Sequence, residues 1–160
     1  MMKQLIFLLS CFVTQVFANT LFVCTGNTGL SYMAEALSTK MLYHKSFSRG
    51  LKVQSSLPDA KAMQALAEWN IFYFHQAQEI KGVDLVNADL VLTMTEEQKK
   101  SLTQLFPQYQ NKIHTLSQCA TGQVDDIEDP YNQDITFYQK TRDKIFMYED
   151  VISSRGWKCK

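Results

Sequence analysis

Hydrophobic and polar positions along this chain switch repeatedly between a strand-like and a helix-like period. TLFVC, residues 20–24, is a short apolar run of strand type. From Ser31 the period changes: Met33, Ala34, Leu37 and Met41 recur at helical spacing and predict a helix over 31–43. SFS at 46–48 reads as a second, short strand. Pro58 opens another predicted helix with Met63, Leu66 and Ala67 on one face, and Asn70 is its left-handed stop. DLVLTM at 89–94 is the clearest buried strand. Thr95 with Gln98 forms a capping box for a helix running to about Phe106. KIHTL at 112–116 is a fourth strand. A loop containing Gly122 and the acidic VDDIEDPYNQD follows, and a last helix carries Tyr138, Thr141, Ile145, Tyr148 and Ile152 on one stripe. Strands alternating with helices predict an α/β domain, a doubly wound parallel sheet with helices on both faces. Ligands of such sheets sit at the carboxyl ends of the strands, and the first strand ends at Cys24.

The N-terminus departs from this alternation. MMKQLIFLLSCFVTQVFA has one early lysine, an apolar run and the small residue Ala18, as in a secretory signal peptide cleaved after residue 18. That divides the chain into a signal peptide, 1–18, and a single domain, 19–160, exported to a periplasmic or extracellular space. Two alternatives stand beside it: a lipid anchor on Cys11, after the small residue of LLSC, and a cytoplasmic protein that begins with a buried segment. The run is too short and interrupted for a membrane span.

Composition changes the picture only by exclusion. With 160 residues the chain is long enough for one real core. Sixteen basic residues balance sixteen acidic ones, so nothing favours nucleic acid as a partner. Loss of Lys3 with the leader leaves 15 basic residues and a net charge of −1. Loss of Cys11 leaves Cys24, Cys119 and Cys159, an odd number, so at least one thiol stays unpaired within the chain and a disulfide-stapled scaffold is not expected. No metal and no cofactor is expected.

The unpaired thiol draws attention to LFVCTGNTGLSYMAEAL, residues 21–37, a strand, a glycine-containing loop and a helix start. Such a loop points backbone N–H groups inward, and the helix dipole adds partial positive charge. Gly26 and Gly29 allow a tight turn around a small anion. The same surroundings lower a thiol pKa, so Cys24 is a candidate nucleophile, with Ser31 in reach of a hydrogen bond to it. The bland reading of Cys24 is a small buried hydrophobe at a strand end. A leaving group needs an acid, and Asp129, held extended before Pro130, is the candidate. Its neighbours Asp125, Asp126 and Glu128 are like charges that raise a carboxyl pKa, against the bland reading of a solvated acidic loop.

VCTGNTGLSYMAEAL, PDAKAMQAL, NADLVLTMT, VDDIEDPYNQD and FYQKTRD occur here in the order of corresponding segments in the low-molecular-weight protein tyrosine phosphatases. The chain resembles that family over essentially residues 21–152, and most of all its bacterial branch that includes protein-arginine phosphatases. The resemblance implies a four-stranded sheet in the order 2-1-3-4 and a phosphorylated protein or small phosphate ester as partner. It implies Cys24 as the nucleophile that forms a cysteinyl-phosphate, Asp129 as the general acid, and a phosphate cradle made by Thr25, Gly26, Asn27, Thr28, Gly29, Leu30 and Ser31. Tyr131 matches an aromatic wall beside the substrate. Asn27, Ser31, Ser48 and His75 match a hydrogen-bond network that supports the loop. Thr28 stands where arginine phosphatases also tend to carry threonine.

Three positions depart from the family pattern of a cysteine, five residues, an arginine and a serine. Leu30 replaces the arginine, Gly29 replaces a frequent second cysteine, and Tyr32 replaces a proline. Leucine cannot grip phosphate bidentately or follow transition-state charge, as arginine does. Arg49, beside Ser48, is the candidate to reach the pocket from outside the loop; a solvated surface arginine is the alternative. The expectation is a phosphatase hydrolysing phosphotyrosine-type monoesters or phosphoarginine at a much reduced rate, or a pseudophosphatase that binds phosphate or a phosphorylated partner. Arsenate reductases sharing this fold need two further cysteines, and none lies between Val83 and Ser117.

Overall fold

A computed structural model describes residues 18–160. Residues 1–17 of the expected leader, Cys11 among them, lie outside the described residues. Four strands, β1 (Thr20–Cys24), β2 (Ser46–Gly50), β3 (Leu90–Thr93) and β4 (Ile113–Thr115), form one parallel sheet in the order β2-β1-β3-β4. Six α-helices join them: α1 (Leu30–Met41), α2 (Ala60–Ala67), α3 (Gly82–Asn87), α4 (Glu96–Leu105), α5 (Leu116–Thr121) and α6 (Ile135–Ser154). A 3-10 turn, Pro107–Lys112, leads into β4.

Strand alternation sorts the core into two layers. Phe22 and Leu92 face the larger one, with Met33 and Leu37 of α1, Ala62 and Leu66 of α2, and Tyr138, Ile145 and Ile152 of α6. Leu21, Val23, Val91 and Ile113 face the smaller one, under Leu85 of α3 and Leu102 of α4. This is the doubly wound arrangement expected, and the α6 stripe Tyr138, Thr141, Ile145, Tyr148 and Ile152 is buried throughout. The Thr95–Gln98 capping box is present, with Thr95 Oγ1 accepting from Gln98 N at 3.2 Å. Asn70 takes the left-handed conformation at φ 58°.

Several local expectations are corrected. α2 begins after Asp59, whose carboxylate accepts from Lys61 N and Ala62 N; Pro58 lies outside it. Its buried face is Ala62, Ala65 and Leu66, while Met63 is exposed. Alanines admit the close approach of α6, whose Arg142 donates to the Ala65 carbonyl at 2.7 Å, so packing selects the small residues over the larger methionine. α1 stops at Met41, itself exposed. β2 runs two residues beyond the expected SFS, and α3 and α5 were not expected at all. Cys119 and Cys159 form a disulfide across 40 residues, so the fold does carry one staple, and Cys24 is left as the free thiol among the described residues.

Candidate active site

β1 lies in the middle of the sheet, so its end at Cys24 opens between β2 and β3. The chain then wraps through residues 25–29 before α1 begins at Leu30 with no side-chain cap on its first turn. The uncapped N–H groups of that turn are left for another acceptor. Asn27 adopts φ 58°, which folds the loop back over Cys24. The Cys24 sulfur accepts from Asn27 N at 3.2 Å and lies 3.0 Å from Ser31 Oγ. Gly50, at the end of β2, allows this close packing: a Cβ there would stand 2.9 Å from the Thr25 carbonyl oxygen.

A polar network supports the loop from beneath. Asn27 Nδ2 donates to Ser31 Oγ at 2.9 Å and to Ser48 Oγ at 2.7 Å, and its Oδ1 accepts from Gln78 N at 3.0 Å. His75 Nε2 donates to the Asn27 carbonyl at 2.8 Å. This assigns the proton to Nε2, because the carbonyl can only accept. The structure therefore brings Asn27, Ser31, Ser48 and His75 together. It also adds Glu35, which sequence reasoning missed. Ser48 and Tyr73 hydroxyls donate to its carboxylate, and His75 Nδ1 lies 3.5 Å from it. Burial, then the Glu35 hydrogen bond, pushes the Tyr73 hydroxyl up to about 12. The available signal was a carboxylate one helical turn after Ser31 among Met33, Ala34, Ala36 and Leu37.

Above the loop is a cleft of about 300 Å³ whose lining includes residues 24–30, Asp129, Tyr131 and Tyr138. Asp129 and Tyr131 are exposed at its rim, with Tyr131 N donating to Asp129 Oδ1 at 3.1 Å. Two other acids of this segment have different partners. Asp125 accepts from Tyr148 and pairs with Lys144 at 2.9 Å, which holds its carboxyl below the usual range. Asp126 Oδ1 accepts from Glu96 N at the start of α4. Asp129 is thus the member of the acidic run that lines the cleft.

Two electrostatic expectations change. Leu30 is only 3% exposed and belongs to the larger core, so the site has hydrocarbon where a cradle for an anion would use charge. Burial pushes the Cys24 thiol up, and the nearby Asp129 carboxylate adds to this; hydrogen bonds from Ser31 and Asn27 oppose it without reversing it. The expected lowering of the thiol pKa is therefore not found: removal from water outweighs the loop hydrogen bonds. Arg49 is not at the cleft either. Alternation along β2 sends it away from Ser48, and its Nε bonds Asp84 Oδ1 at 3.0 Å over the Phe47 ring. A lysine that sequence reasoning overlooked, Lys52, lines the cleft instead.

The doubly wound fold and the cysteine-centred loop at the end of its central strand define the class: an α/β protein with a cleft at the carboxyl end of its parallel sheet. More particularly, the chain belongs to the low molecular weight phosphotyrosine protein phosphatase family, whose profile matches residues 19–149. It is 34% identical over 131 residues to a protein-arginine-phosphatase of Bacillus subtilis, an alignment covering 78% of this chain and 87% of that one. It is 30% identical over 134 residues to the low molecular weight protein-tyrosine-phosphatase PtpB of Staphylococcus epidermidis, covering 82% and 94%. Among solved structures it superposes on the YwlE arginine phosphatase from Geobacillus stearothermophilus with a TM-score of 0.83 at 31% identity, covering 86% and 92%. A YwlE mutant with a phosphorylated active site serine gives 0.83 at 30% identity, covering 86% and 94%. No helix among the described residues is long and apolar enough to cross a membrane.

Proposed function

We propose that this chain hydrolyses phosphotyrosine-type monoesters or phosphoarginine through a cysteinyl-phosphate, at a rate much reduced by Leu30. The observation that carries the reading is the seating of Cys24. Its sulfur is held by Asn27 N–H and Ser31 at the base of a loop, with Asp129 at the rim of the same cleft. Loop N–H groups hold the phosphoryl oxygens, and the Cys24 thiolate attacks phosphorus. The bond from phosphorus to the leaving oxygen or nitrogen breaks as Asp129 delivers its proton to the leaving group. Water then attacks the cysteinyl-phosphate, giving a proton to Asp129, and the sulfur–phosphorus bond breaks to release inorganic phosphate. Tyr131 and Thr28 stand where they would contact the group carrying the phosphate.

Leu30 weighs on the rate. Losing one oxyanion donor costs roughly 100- to 1,000-fold, and a thiol pushed up by burial is mostly protonated at neutral pH. The buried Leu30 also favours a second reading, a pseudophosphatase that retains phosphate or a phosphorylated partner without turnover. The test is hydrolysis of an aryl phosphate, a phosphotyrosine peptide and a phosphoarginine peptide by the wild type, with Cys24→Ser and Asp129→Asn beside it. Slow turnover lost in Cys24→Ser supports the enzyme. Phosphate binding without turnover supports the second reading.

Export after residue 18 belongs to the same proposal. The Cys119–Cys159 disulfide supports it, since such bonds persist in oxidising compartments. The intact mass of protein from its native host tests it: a chain starting at Asn19 is expected. A retained leader favours the cytoplasm, and a lipid adduct on Cys11 favours anchoring.

A further inference from the structure

The phosphate reading leaves an electrostatic question: what positive charge faces an anion in a loop whose arginine position is filled by Leu30? We propose that Lys52 supplies it, from the segment after β2 rather than from the loop. The proposal rests on the phosphate-binding reading of the cleft.

Among the described residues that line the cleft, Lys52 is the one lysine or arginine. The other basic groups nearby are engaged: Arg49 pairs with Asp84, and Lys61 donates to the Gln133 carbonyl. Lys52 makes no ion pair and no side-chain hydrogen bond among the described residues, and it is exposed to incoming solute. Its origin is nevertheless fixed. Leu51 N donates to the Cys24 carbonyl at 2.9 Å and Lys52 N to the Thr25 carbonyl at 2.8 Å, so the backbone of residue 52 is hydrogen-bonded to the loop itself.

A lysine differs from the fork it would stand in for. It is a flexible point charge with three donors, and it approaches phosphoryl oxygens from the rim. Ground state and transition state are both anionic, so it attracts both, and its contribution falls mainly on binding rather than on the chemical step. Lys52 would also contact any anionic group that flanks the phosphate on a peptide substrate.

The experiment is calorimetric titration of the folded chain with inorganic phosphate at low and high salt, with the amide NMR shifts of Gly26 and Gly29 locating the bound ion. Lys52→Met should weaken binding about tenfold and flatten the salt dependence, as expected for loss of a charge-assisted hydrogen bond. Lys52→Arg should restore both. In a Leu30→Arg background the effect of Lys52→Met should shrink, because the new guanidinium takes over the same oxygens. The residue is exposed, so unchanged melting excludes a folding artefact. Phosphate seated in the loop with an affinity that Lys52→Met alters by less than about twofold overturns the role of Lys52 and leaves the site reading intact. Wild-type protein that binds no phosphate, or binds it away from Gly26 and Gly29, overturns both together.

Discussion

Asn27 Nδ2 donates to Ser48 Oγ across 2.7 Å, and this contact ties the loop after β1 to β2. The two residues stand 21 positions apart, and both are buried. Asn27 also spans Ser31 and Gln78 and holds φ 58°, a conformation asparagine tolerates better than most residues.

Asn27→Ala should therefore lower stability by more than one lost hydrogen bond. It takes the acceptor from the Gln78 N–H and one donor each from the buried Ser48 and Ser31 hydroxyls, which keep Glu35 and Cys24, and it puts alanine in the left-handed region. A cost of about 2–4 kcal/mol is expected from the buried unsatisfied groups and the backbone strain. Ser48→Ala leaves Asn27 with Ser31 and Gln78 and should cost about 1 kcal/mol. Thermal melting of both variants compares them; equal melting would show that the network does not hold the loop.

How much of this was legible depended on the distance over which each signal acts. The capping box at Thr95 and Gln98 and the stripe on α6 are local patterns, and they survive into the structure. The face of α2 was misread because Met63 is more apolar than Ala65, while the helix opposite demanded a small residue. Parity along β2 argues against Arg49: if Ser48 points under the loop, its neighbour must point away. Glu35 was invisible because the residues it joins, Ser48, Tyr73 and His75, lie 13 to 40 positions away and come together only when the sheet forms. Lys52 sits in irregular chain with no period to mark it. The Cys119–Cys159 pairing depends on where the C-terminal segment returns, which no local pattern encodes.

That return makes the second prediction. The disulfide closes a separation of 40 residues, and the C-terminal segment is held by further contacts. Arg155 donates to the carbonyls of Cys119 and Ala120 at 2.8 Å, and Trp157 stacks on His44 at 3.6 Å. Reduction, or Cys159→Ser, should cost about 2–4 kcal/mol without unfolding the domain. The melting temperature of oxidised and reduced protein measures this. Under oxidising conditions an alkylating reagent should modify Cys24 in unfolded protein and leave Cys119 and Cys159 untouched.

Glu149 on α6 is wholly buried, with neither carboxylate oxygen hydrogen-bonded among the described residues. Burial pushes its carboxyl well above the usual value, so folding carries a proton that the unfolded chain has given up. The sign follows: this group's contribution is most favourable at acidic pH and is progressively lost as pH rises above the ordinary carboxylate range. Glu149→Met, similar in volume and apolar, should stabilise the protein at pH 7 by about 1–3 kcal/mol. The gain should diminish near pH 4, where both states of the wild type are protonated. Urea denaturation at the two pH values is the measurement; a gain independent of pH would mean that Glu149 finds a partner for its charge.

The last prediction concerns Leu30 itself. Cys24, Asp129 and the network around Asn27 surround a cleft to which Leu30 contributes hydrocarbon. Arginine there would bind two phosphoryl oxygens at once and place a positive charge beside the Cys24 thiol. Both effects act in the direction the wild type lacks: a fork for the transition state, and opposition to the burial that pushes the thiol up. Leu30→Arg should raise aryl phosphate hydrolysis by at least about 100-fold, and the pH dependence of Cys24 alkylation should move to lower pH. Because Leu30 is packed in the core, the variant's melting must be followed alongside. Cys24→Ser should abolish turnover in both backgrounds. Wild-type turnover already in the ordinary enzymatic range of about 1–1,000 per second would refute an impaired site. A folded, phosphate-binding Leu30→Arg that stays inert would move the defect from the missing charge to the chemistry of Cys24 or Asp129, and would favour the pseudophosphatase.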